Sequence, residues 1–261
     1  MKRSTLLAWL AVIIAALYML VPLYATFQFS LQAKRGTLSL IAYSNVLKSP
    51  DFVNSFLFSF RTGLLTIALS ILLVAPTAYW VRLKFVWLRP VMEFFTLLPF
   101  VIPPVVLVFG LIRAFNSTSL TNSRDGVYVL LVGAYLMLSL PYMYRTIDTG
   151  LQAMNVRVLT EAAHSLGAGW GTILYRVIMP NLLTAILSGA FITFAIVMGE
   201  FTIANLMSQP AFGPYMYGLS SNKVYEPSAL AIISFGLTWA CIALIEVLGR
   251  RQGGRTRVAV R

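Results

Sequence analysis

Apolar residues run along this chain in six long blocks, at 6–29, 56–81, 91–115, 127–144, 182–207 and 229–248, with polar stretches between them. Each block is long enough to cross a hydrocarbon core of about 30 Å at about 1.5 Å per residue. The pattern predicts an all-α fold: a polytopic membrane protein of six transmembrane helices. The first block follows Lys2 and Arg3 as a signal peptide would. It is too long for a signal core and lacks a small-x-small cleavage site behind it, so it is expected to be an uncleaved span.

Proline punctuates several blocks, at Pro22, Pro76, Pro141 and the group Pro99, Pro103 and Pro104. Each removes a backbone hydrogen bond, and in lipid the freed carbonyl needs another partner. The third block therefore predicts either a broken helix beside a pathway or a kinked packing helix.

Positive charge gives the orientation. With the N-terminus inside, 13 of the 20 Lys and Arg fall on the cytoplasmic side and 7 on the outer side, which places both termini in the cytoplasm. The outer loops are then 30–55, 116–126 and 208–228. The inner ones are 82–90, the long stretch 145–181, and a basic tail at 249–261 expected to be disordered against anionic headgroups.

Composition agrees with a lipid setting. The 261 residues are 59% hydrophobic and only 11% charged. A soluble domain of this size has too little interior for that much apolar surface. The net charge of +12 is accounted for by the inner loops. No basic run interleaved with aromatics forms a nucleic-acid groove, so nucleic acid is not an expected partner. The one cysteine, Cys241, has no intrachain partner, and the one histidine, His164, excludes a zinc site built on several histidines.

The inner stretch 145–181 is long for a connection in a compact bundle and is expected to carry structure and a role. Leu151, Met154, Val158, Leu159, Ala162 and Leu166 recur at helical spacing and predict one apolar face. Thr160 is the expected helix cap, with Glu161 at the positive end of the macrodipole, and Gly167 the expected left-handed stop. A second helical run should end at Pro180. Such a helix lies on headgroups, packs under its own bundle, or enters a partner's cleft, where Ala162 and Ala163 allow close approach.

Glu161-Ala162-Ala163, three residues, Gly167, nine residues, then Val177-Ile178-Met179-Pro180 resembles the EAA loop of binding-protein-dependent ABC importer permeases. Spacing agrees throughout; Val177 and Met179 stand where the pattern has Ile and Leu. The resemblance spans nearly the whole chain and implies a single permease domain over 1–261, with the loop at about 148–180. It implies that Leu159, Thr160, Glu161, Ala162, Ala163, Leu166 and Gly167 form coupling helices between spans four and five that dock on a separate ATPase. The implied partners are two ATPase subunits, a second permease subunit (a paralogue rather than an identical copy) and a periplasmic or lipid-anchored solute-binding protein. The implied place is the bacterial inner membrane. ATP and Mg belong to the ATPase, since this chain has no G-x-x-x-x-G-K-[ST] loop and needs no cofactor of its own.

Glu200 is the acidic residue deep in an apolar block, which by the cost of charge in lipid marks a candidate substrate contact, with Thr202 and Asn205 as accessories. The alternative is a carboxylate held by a neighbouring helix, Arg61 or Arg113. Glu246 is expected to pair with Arg250, and Tyr135, Tyr142 and Tyr144 to be packing or interfacial residues. The chain looks most like the second permease of spermidine/putrescine-type systems, which implies a polyamine or similar cargo. It departs from them at Gly199-Glu200, where those permeases tend to carry two aspartates. Gly-Glu-Phe also resembles permeases for ferric iron and oxyanions. An ion-coupled secondary transporter is the competing class, poorly supported by one midplane carboxylate. A membrane enzyme is not supported by any catalytic cluster.

Overall fold

The computed structural model describes the backbone of residues 2–34 and 36–256, and the side chains of 8–34, 36–240 and 243. In chain order the helices are α1 (Lys2–Ser30), α2 (Ile41–Lys48), α3 (Pro50–Leu83), α4 (Arg89–Val101), α5 (Pro104–Ala114), α6 (Ser119–Asn122) and α7 (Arg124–Ala153). There follow α8 (Val156–Ser165), α9 (Trp170–Thr172), α10 (Met179–Asn181), α11 (Leu183–Gly199), α12 (Thr202–Leu206), α13 (Phe212–Asn222) and α14 (Glu226–Thr256). A 3-10 turn (Val86–Leu88) precedes α4, and a π-helical segment (Ile173–Ile178) joins α9 to α10. Among the described residues no strand forms, and the fold is all-α as predicted.

Among the described residues, three unbroken helices are long and apolar enough to cross a membrane: Ala8–Ser30, Pro50–Leu83 and Arg124–Ala153. They match the first, second and fourth blocks and run through Pro22, Pro76 and Pro141. The third block is a bent pair, turning by 103° at the break before Pro104, and a 74° bend between Trp170–Asn181 and Leu183–Gly199 falls at the start of the fifth block. The third block is thus broken rather than kinked. Ile102 and Pro103 each precede a proline, which bars the α region, and both are extended (ψ 113° and 141°). The fifth block departs from the continuous span expected over 182–207. Its helix stops at Gly199, Glu200 is extended (ψ 126°), and α12 starts afresh.

The sixth block falls on α14, whose backbone stays helical past Gly249 to Thr256, where a disordered tail was expected. Cys241 and the Glu246–Arg250 pair have side chains outside the described ones, and the tail residues 257–261 lie outside altogether.

The chain divides into two compact units, Met1–Asn54 with Tyr215–Ala240, and Ser55–Pro214 with Cys241–Arg261. In the first, Ser30 Oγ and the Tyr43 hydroxyl lie 2.7 Å apart, Asn45 Nδ2 donates to Glu226 Oε1 at 3.1 Å, and Phe29 packs on Tyr225.

In the second unit α7 and α11 pack at very close range. A Cβ on Gly150 would lie 2.6 Å from Ala185 Cβ, and one on Gly189 would lie 2.5 Å from Thr146 Oγ1. Small residues at such a seam let two backbones approach where lipid offers no hydrophobic drive. Helix α3 turns a buried row of Ser55, Ser59, Thr62, Thr66 and Ser70 toward its neighbours. Its hydroxyls are used: Ser59 Oγ accepts from Phe212 N at 2.8 Å, and Ser70 Oγ lies 3.0 Å from Ser139 Oγ on α7. Hydroxyls placed this way join helices without leaving a polar group unpaired in lipid.

Candidate functional site

The loop singled out by the sequence folds into α8 and the turn behind it. Met154 leaves the α7 helix (ψ 148°) and Asn155 caps α8, its side chain accepting from Val158 N at 3.3 Å. Thr160 is therefore not the cap. It lies a turn inside the helix, donates to Val156 O at 2.7 Å and sits 3.0 Å from the Tyr79 hydroxyl of α3. Glu161 likewise lies beyond the positive helix end and pairs with Arg157 at 3.1 Å in solvent.

The break at Met154–Asn155 resets the helical phase, so the apolar face expected to continue from Leu151 does not. The buried face of α8 is Val156, Thr160 and Ala163, with Leu159 half-buried against the same core. Val158, Ala162 and Leu166, at i, i+4 and i+8, project outward instead, and Leu166 is 88% exposed. Of the seven loop residues predicted, Leu159, Thr160 and Ala163 hold α8 to the bundle, and Glu161, Ala162 and Leu166 face away from it.

Gly167 ends the helix at φ +78°, in the left-handed region where a side chain is disfavoured. Ala168 N donates to Ala163 O at 3.0 Å and Gly167 N to His164 O at 2.9 Å, the paired bonds of a Schellman stop. The chain then returns to the bundle through Trp170. Its ring lies 4.8 Å from that of Trp80 and 4.3 Å from His164, with Lys84 Nζ 4.6 Å above it. This stack ties the C-terminal end of α8 to the last turn of α3. Sequence reasoning missed Tyr79, Trp80 and Trp170, which have no signal in spacing. It also missed Asn155, whose residue type is a capping signal in itself.

Glu200 lies in the break between α11 and α12. Its Oε1 accepts from Ile203 N at 2.8 Å, and its Oε2 from Ala204 N at 3.1 Å and the Tyr135 hydroxyl at 3.3 Å. Both carboxylate oxygens are thus engaged, and among the described residues no ion pair joins Glu200 to Arg61 or Arg113. Gly213 sits against the Glu200 carbonyl, leaving no room there for a Cβ. Thr202 is half-buried and Asn205 exposed, both on the outer side of α12, where Ile203 and Ala204 form the buried side. The structure brings Glu200 together with Tyr135, expected only to pack. Among the described residues no three His, Cys, Asp or Glu side chains gather as metal ligands would.

Residues 72–258 match the family described as the binding-protein-dependent transport system inner membrane component. The chain is 29% identical over 228 residues to the molybdenum transport system permease protein ModB of Mycobacterium bovis, covering 82% of this chain and 83% of that one. It is 29% identical over 154 residues to the spermidine/putrescine transport system permease protein PotC of Haemophilus influenzae, covering 58% of each. A bacterial ABC transporter involved in the import of the acidic polysaccharide alginate superimposes with a TM-score of 0.69 at 14% identity, over 96% of both chains.

Proposed function

Given that the chain belongs to the family of binding-protein-dependent transport system inner membrane components and is a membrane-embedded ABC importer permease subunit, we propose that it forms one half of a solute path and is driven through α8 by a separate ATPase. The observation that carries this reading is the outward row Val158, Ala162 and Leu166 on a short helix whose other face is anchored. An apolar ridge with Ala162 at its centre fits a cleft on a partner closely, and Glu161 and Arg157 beside it supply polar contacts. Two ATPase subunits holding ATP and Mg, a second permease of paralogous sequence and a solute-binding protein complete the transporter. The bundle has six spans with both termini and α8 on the cytoplasmic side of the inner membrane.

Glu200, with Thr202 and Asn205 beside it, borders the path at the break between α11 and α12. For the cargo, the resemblance favours a polyamine, and the relatives include both polyamine and molybdenum permeases. The charge lining the groove between α7 and α11 favours an anion.

The docking role is tested by co-purification. Deleting 159–171 should abolish recovery of an ATPase with the permease while leaving the chain in the membrane. An ATPase still recovered from that deletion overturns the role given to α8.

A further inference from the structure

Between α7 and α11 runs a groove of about 670 Å³. Its floor is the seam where Gly150 meets Ala185, too tight for any larger pair. Arg145 and Thr149, one turn apart on α7, face Thr184 and Ser188, one turn apart on α11, with Asn181 at the end of the groove. No carboxylate lines it. Arg145 is exposed and forms none of the ion pairs found among the described residues. The Thr149 and Thr184 hydroxyls make no hydrogen bond among the described residues, whereas Ser188 Oγ donates to Thr184 O at 2.9 Å.

Most other carboxylates among the described side chains are already committed. Asp148 is held by Arg82 at 2.9 Å and Arg89 at 3.6 Å, and Glu93 by Arg89 at 3.0 Å, in the adjoining groove that Arg145 also borders. Glu161 pairs with Arg157, Glu226 accepts from Asn45, and Glu200 is capped by two amides and Tyr135. Asp51 and Asp125 lie in the first turns of α3 and α7. A polycation or a hard metal ion crossing the bundle needs free carboxylates along its way. The groove offers an unpaired guanidinium and free hydroxyl donors instead. Cationic side chains with oriented hydrogen-bond donors select anions in pores, and guanidinium geometry suits an oxyanion's paired oxygens.

We infer that, in the permease half described above, this groove is the cargo's contact on α7 and α11, and that the cargo is a compact oxyanion recognised by Arg145 with Thr149 and Thr184. The inference rests on the permease reading, and its test separates the two. The complete transporter, purified with its own ATPase and binding protein and reconstituted in liposomes, is offered labelled molybdate, sulfate, phosphate and spermidine in turn. The expected result is ATP-dependent uptake of one of the three anions and none of spermidine. Arg145→Gln should lower that uptake about tenfold or more, the loss of a charge-assisted contact. Arg145→Lys should restore part of it, and T149V with T184V should give a smaller fall. Recovery of the ATPase and anion affinity of the binding protein should be unchanged in every variant. Uptake of spermidine, uptake of none of the anions, or undiminished anion uptake in both Arg145→Gln and Arg145→Glu overturns the inference. Anion uptake that needs no ATP yet falls in Arg145→Gln overturns the permease reading and leaves the groove assignment standing.

Discussion

The Tyr79 hydroxyl and Thr160 Oγ1 lie 3.0 Å apart, both buried, one on the last turns of α3 and the other inside α8. Thr160 spends its own hydrogen on Val156 O, so Tyr79 is the donor between them. A short helix with an exposed apolar row is thereby fixed to a helix long and apolar enough to cross a membrane. The Trp80, Trp170 and His164 rings make the same connection a turn further on. If α8 is moved by an ATPase as proposed, these contacts are the route by which that motion reaches α3.

Replacing Tyr79 with Phe removes that donor and should destabilise the chain by about 1 kcal/mol. T160V leaves the tyrosine hydroxyl unpaired and should cost slightly more. The double variant should cost less than the sum, because it removes both polar groups together. Thermal unfolding of the detergent-purified chain measures the cycle. Strict additivity would show that the two residues act independently.

Gly167→Ala places a Cβ at φ +78°, at a cost of about 1–2 kcal/mol. Space is not the obstacle, since nothing lies within 4 Å of the added atom. The end of α8 should therefore re-aim rather than clash. Solute carried per ATP hydrolysed in the reconstituted transporter should fall, while Gly167→Asn, which tolerates the left-handed region, should retain more of it.

Two glycines of α7 should respond in opposite ways to the same change. Gly150→Ala drives a methyl to 2.6 Å from Ala185 and should destabilise by about 1–3 kcal/mol. Gly133→Ala meets nothing within 4 Å and should be neutral or stabilise by up to about 1 kcal/mol. Unfolding midpoints of the two variants compare them directly, and equal midpoints would contradict a tight α7–α11 seam.

How far the chain was legible depends on where the information resides. Long apolar blocks reported the helices, because lipid burial acts locally. The prolines of the third block left it either broken or kinked, and only the extended backbone at Ile102 and Pro103 decides for the break. Gly167 reported the end of α8, because its backbone geometry is local too. The start of α8 was misplaced because Thr160 and Asn155 are both capping residues, and only the turn at Met154 decides between them. That one shift of phase exchanged the buried face for the outward row. Tyr79, Trp80 and Trp170 carry no mark of their partners, since those contacts join residues some 80–90 positions apart in the chain. The end of α11 at Gly199 was hidden because hydropathy continues across it. The helix stops where the Glu200 carboxylate can cap α12.

Glu200 supplies the last prediction, because a cap and a cargo ligand respond differently to substitution. Glu200→Ala leaves the Ile203 and Ala204 amides and the Tyr135 hydroxyl without their acceptor, and each unpaired buried group costs about 1–3 kcal/mol. The Ala variant should therefore unfold well below the parent. Glu200→Gln keeps an acceptor oxygen for one amide and should lie between the two, with transport falling only as far as stability does. A carboxylate that binds a cationic cargo gives the reverse pattern, with Gln as stable as the parent and transport abolished. Unfolding temperature and uptake measured on the same preparations distinguish these outcomes. Loss of uptake at full stability in Gln would return Glu200 to the solute path as a ligand and would remove the argument that its carboxylate is already spent.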